Sequence, residues 1–147
     1  MKRIFSMALC AMLLLGLAPA ASAAGSSAAE FALWRPGKTV QAGETFEVYV
    51  DIKNNPGFTG LSFALTFDKS KMECTEVTFG EATQGGLTAD NTSVAEGVRI
   101  AVASSSSLKK NGRIATFAFR AKTTISEFGI GIGNVDFGVS SGEQLAY

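Results

Sequence analysis

This sequence predicts an all-β protein, a sandwich or jelly roll, and three features carry that reading. Residues 46–53 and 62–67 alternate apolar and polar side chains with a period of two, as strands buried on one face do. Gly, Pro, Asn and Asp punctuate the chain at short intervals, which favours tight turns between short elements. Beyond residue 23 no segment sustains a helical period. About eight or nine short strands of this kind must pair into sheets and bury their apolar faces against each other.

The chain opens with Met1-Lys2-Arg3, an apolar stretch from residue 4 to 17, and the small-residue segment ending Ala21-Ser22-Ala23. A positive start, an apolar middle and an A-x-A end make residues 1–23 a secretory signal peptide. Lys2 and Arg3 leave with it, so 11 basic residues stand against 13 acidic ones, net −2. So small a charge argues against a nucleic-acid or anionic-membrane binder. No later apolar run has the length of a membrane span. The remaining chain, about 124 residues, has the size of one domain. Its single cysteine, Cys74, forms no internal disulfide and reads as a small packed hydrophobe.

Residues 24–30 read as a flexible leader into a domain at 31–147. Residues 31–34 form the first expected strand, with Trp34 a core residue, and Arg35-Pro36-Gly37-Lys38 turns the chain. Phe46, Val48, Val50 and Ile52 face inward on the next strand. Asn54-Asn55-Pro56-Gly57 ends it, and Phe63, Leu65 and Phe67 face inward on its successor. These two strands read as the first clear pair. Residues 72–79 form another strand, with Val77 and Phe79 inward, and the polar interval 80–97 reads as a loop or irregular hairpin. Residues 98–103 are apolar on nearly both faces, as a central strand is, and the run Ser104 to Ser107 ends them. Asn111-Gly112 is a strong hairpin signal before Ala115, Phe117 and Phe119 alternate inward. In the last block, 128–137, Gly129, Gly131 and Gly133 leave one face bare. The G-x-G-x-x-G spacing of a phosphate loop is missing, so a close approach by another chain segment explains them.

The chemistry of the chain is spare. It has no His, hence neither the commonest general base nor the commonest transition-metal ligand. Its acids are scattered over turns and outward strand positions, without calcium-loop spacing. A glycosidase pair would need two carboxylates across a cleft, which a cross-strand pair such as Asp51 with another acid could supply. By residue chemistry this is a secreted, non-catalytic binding module with no cofactor and no metal site.

Three ordered blocks add a resemblance: GETFEVYVDIKNNPGFTGLSFALTFD, then VRIAVASSSS, then NGRIATFAFRAK. Together they resemble a cohesin domain, the module of cellulosomal scaffoldins that binds dockerin modules on polysaccharide-degrading enzymes. The resemblance spans residues 31–137 and implies a nine-stranded jelly roll related to carbohydrate-binding modules. It also implies that calcium belongs to the dockerin partner and not to this chain. The partner face it implies comprises Ser62, Ala64, Thr66, Arg99, Ala101, Ser104 and Ser105. Gly60 and Ser62 stand where well-studied type I members carry Asn and Asp, and Ser104 and Ser107 where they carry Glu and Gly. Small neutral groups thus replace acidic contacts. Direct carbohydrate binding, or a cell-surface structural or adhesion role, is the competing function. It would call for a row of exposed aromatics, and Tyr49, with Trp34 at most, is all the sequence offers. The family's sandwich is closed by a final strand that pairs with the first. Residues 138–144 are turn-like and Leu145-Ala146-Tyr147 is short, so the expectation is a chain truncated before that strand.

Overall fold

The computed structural model describes residues 29–139. The signal peptide and the question of a closing strand at 140–147 lie outside them. Eight strands are present among the described residues: β1 Glu30–Trp34, β2 Thr45–Lys53, β3 Phe58–Thr66, β4 Met72–Phe79, β5 Leu87–Asn91, β6 Gly97–Leu108, β7 Gly112–Ala121 and β8 Gly131–Gly138. They form two antiparallel four-stranded sheets, ordered β1-β2-β7-β4 and β5-β6-β3-β8. β1 starts one residue before the expected strand: Glu30 already pairs with Lys53, and Ala29 is buried.

The inward positions read from the alternation are the core. Val48, Val50, Phe63, Leu65, Phe67, Phe117 and Phe119 lie in one buried cluster. Its rings meet across the two layers: Phe67 is edge-on to Phe119 at 4.8 Å, and Phe31 is edge-on to Phe137 at 5.8 Å. Within the first sheet, Phe46 stacks on its register partner Phe119 at 5.3 Å. On β4 the anchor is Met72, fully buried, while Val77 and Phe79 are only half-buried. A register shift between Cys74 and Glu76 interrupts that strand's alternation.

Three connections differ from the sequence reading. β2 and β3 are not paired: residues 54–57 carry the chain from one sheet to the other. The Asn-Gly turn makes no hairpin either, because β6 and β7 also belong to different sheets. The two crossings lie side by side and hold each other. Asn55 donates its backbone N–H to Asn111 Oδ1 at 2.9 Å, and its side-chain amide to the carbonyls of Leu108 and Lys110 at 3.1 and 2.8 Å. Gly57 has a φ of 100°, and a Cβ there would stand 2.2 Å from Ser107 Oγ. Turn propensity marks where a chain bends, but the sheet it enters next is decided by which apolar face must be covered.

The third difference is the serine run, which does not end β6. The strand continues to Leu108, with a register irregularity against β3 between Ala103 and Leu108. Within the interval 80–97, a 3-10 turn at Glu81–Thr83 precedes β5, which pairs with β6 as a hairpin strand. Every residue of β5 is exposed, so it carries no burial periodicity for a sequence reading to detect. In β8 the bare face does admit a neighbour: Thr66 Oγ1 donates to the Gly131 carbonyl at 3.2 Å.

Two stability changes test this architecture. Phe63→Ala is expected to lower unfolding free energy by about 3–5 kcal/mol in chemical denaturation, because it opens a cavity between the layers. Asn55→Ala removes the shared clamp of both crossings and should cost about 1–3 kcal/mol in the same measurement. A wild-type midpoint for Phe63→Ala would refute the assigned register.

Candidate partner-binding face

The outer side of β5-β6-β3-β8 is built from small residues brought abreast by register. One row runs Leu87, Ala103, Gly60, Gly138; the next runs Ala89, Ala101, Ser62, Asp136; a third holds Asn91, Arg99, Ala64 and Gly133. Ser62, Ala64, Thr66, Arg99 and Ala101, expected from the sequence, therefore share this side of the sheet. Their accessibility differs. Arg99 and Ala101 are exposed, Ser62 and Thr66 half-buried, and Ala64 fully buried, so Ala64 offers a partner no surface. Ser104 and Ser105 lie past Ala103, in the irregular part of β6, and do not prolong the regular rows. Ser104 Oγ instead accepts the backbone N–H of Ser106 at 3.2 Å.

The sequence reading missed Leu87. It heads the first row with 81% of its surface exposed, the most exposed large apolar side chain of the described residues. Its signal was faint: one leucine after Gly85-Gly86 in a polar interval, with no alternation around it. Once β5 is placed, Leu87, Ala89, Ala101 and Ala103 make a continuous apolar strip, flat because no side chain on it is longer than leucine. Arg99 and Asp136 are the charged groups bordering it.

A family model described as "Cohesin domain" matches residues 35–145. The chain belongs to the cohesin family. Solved structures agree on the fold. The cohesin module of a family 33 glycoside hydrolase from Clostridium perfringens superposes with a TM-score of 0.67 at 16% identity, over 80% of this chain and 88% of that one. The non-cellulosomal cohesin of the archaeon Archaeoglobus fulgidus gives 0.63 at 18% identity, over 74% and 83%. The sixth cohesin of Acetivibrio cellulolyticus scaffoldin B, solved with a Cel5 dockerin mutant, gives 0.63 at 19% identity, over 81% and 92%. No curated protein matches the sequence.

The opposite face of this cohesin, the outer side of β1-β2-β7-β4, is chemically different. Trp34 is not a core residue: 51% of it is exposed, and its indole stacks on Tyr49 at 4.8 Å. Outward position, not aromatic character, decides this, because Phe31 and Leu33 alternate with Trp34 along β1 and pack on the core. Arg113 lies over Tyr49 with its guanidinium carbon 3.9 Å from the ring centroid. Its Nε is paired with Asp51, so that carboxylate's cross-strand partner is a cation and not the second acid a glycosidase would need. Tyr49 donates its hydroxyl to Glu47 at 2.8 Å, and this hydrogen bond raises the phenol's pKa.

Cys74 is half-buried, and the resulting desolvation pushes its thiol up to about 11. The group is therefore protonated and unreactive near neutral pH. Alkylation by iodoacetamide at pH 8 should run on the order of a hundredfold slower on the folded protein than in denaturant, following the thiolate fraction. Equal rates would show that Cys74 is not shielded.

Proposed function

We propose that this cohesin is a secreted, non-catalytic module that captures a dockerin-bearing enzyme of extracellular polysaccharide breakdown. It does so through the outer face of β5-β6-β3-β8. The observation that carries the reading is the flat apolar strip of Leu87, Ala89, Ala101 and Ala103, set in a fold whose relatives include one solved with a dockerin. Gly, Ala and Ser side chains let a helix come close to the sheet and lose little side-chain entropy when they are covered. Leu87 supplies the one large side chain that can enter a pocket on the partner. Arg99 offers a forked donor to a carboxylate, or to the carbonyl end of a helix, at the border of the strip. Because acidic side chains are sparse here, the matching dockerin surface is apolar with an acidic group facing Arg99, and calcium serves to fold the dockerin. The amino-terminal leader supports export, with the mature chain starting at Ala24.

Calorimetric titration against a panel of recombinant dockerins, in calcium and in chelator, tests this. A calcium-dependent complex is expected, weakened at least about tenfold by Leu87→Asp or Ala101→Arg, since each puts a charge into a desolvated contact. Binding unaffected by both changes would move the interface elsewhere. Exported protein that retained its first 23 residues would refute the cleavage before Ala24, and protein retained inside the cell would refute secretion.

A further inference from the structure

The stacked Trp34–Tyr49 pair borders a groove of about 600 Å³, lined by Pro36, Lys38, Glu44 and Glu47 among others. The groove exists because β1 ends at Trp34 while β2 extends beyond it: β1 covers β2 only from Tyr49 to Lys53, so residues 45–48 have no β1 partner. Trp34 is the last residue of β1, which lies at the edge of its sheet among the described residues, and Tyr49 covers one face of its ring. Its indole is held firmly. Tyr49 is itself fixed by Arg113, whose guanidinium is tied to Asp51 and donates to Thr116 Oγ1 at 3.3 Å. The surrounding polar groups are also fixed. Glu47 accepts the Tyr49 hydroxyl at 2.8 Å, Glu44 accepts the Gln41 N–H at 2.8 Å, and each carboxylate keeps lone pairs to spare.

A preset aromatic plane beside fixed carboxylates and an ammonium group has the chemistry of a sugar site. The ring takes the apolar C–H face of a pyranose, and Glu44, Glu47 and Lys38 take its hydroxyls. We propose that this groove binds a neutral glycan, on the sheet opposite the dockerin face and independently of it. Two acids against one lysine disfavour an acidic glycan. The stretch of β2 that β1 leaves uncovered is only residues 45–48, and its charged Glu47 disfavours strand addition by a peptide.

Trp34 is the chain's only tryptophan, so its fluorescence reads the site directly. The full chain is titrated with cellohexaose, xylohexaose, mannohexaose and laminarihexaose, with polygalacturonate as the acidic control. A saturable change in Trp34 emission with at least one neutral hexaose at millimolar concentration is expected, and none with polygalacturonate. By calorimetry, Trp34→Ala should abolish the binding and Glu47→Gln should weaken it several-fold. Trp34→Phe, which keeps a ring and controls for folding, should retain part of it. Dockerin capture should be unchanged in all three variants. Silence with every neutral hexaose, undiminished binding by Trp34→Ala, or an emission change produced only by polygalacturonate would overturn the proposal.

Discussion

Everything in this molecule rests on phenylalanine rings that meet, edge-on or tilted, between two sheets. Phe67 against Phe119, and Phe31 against Phe63 and Phe137, span the two layers, and none of these side chains has a polar atom to satisfy. Rings of this size set the separation of the layers, about 10 Å for packed sheets. Because side chains alternate along a regular strand, a strand that gives a ring to the core turns its next side chain outward. The composition of both outer faces is therefore what remains after the core is filled. On one sheet the remainder is glycine, alanine and serine, and on the other it is aromatic and charged.

The chain crosses between the layers at two adjacent corners, and the asparagines there act as one unit. Asn55 reads the carbonyls that end β6, while Asn111 receives the N–H that follows β2. Each crossing would otherwise leave backbone groups facing its neighbour without partners. The clamp explains how a bend with ordinary hairpin residues serves as a corner. It also fixes where β6 stops and β7 starts, and so holds Asp51 and Arg113 in register on the aromatic face.

The two faces call for different kinds of ligand. A smooth sheet of small residues excludes little and orients little, so it suits a partner that brings its own shape, such as a helix pair. A propped indole beside fixed carboxylates is specific by itself and needs only a small ligand. They lie on opposite sides of one rigid sandwich, so occupying one leaves the other accessible. Under the two proposed roles, one side holds an enzyme while the other touches its polymer.

The fold was legible in the sequence because burial on one face writes a period of two directly into the residue order. Phe46 to Ile52, Phe63 to Phe67 and Ala115 to Phe119 announced their strands and their inward sides. The cohesin blocks likewise placed Ser62, Thr66, Arg99 and Ala101 on one side of one sheet. What left no periodic trace stayed hidden: β5, exposed along its whole length, and with it Leu87. The pairing of strands was hidden as well. Asn-Gly and Asn-Pro-Gly mark bends equally well whether the chain returns beside itself or crosses to the opposite layer, and only the packing of the faces distinguishes the two. For the same reason Trp34 reads as core when taken alone. Alternation along β1 is too short to orient it, and the indole's place outside the sandwich is decided by Phe31, which takes the inward site against Phe63 and Phe137.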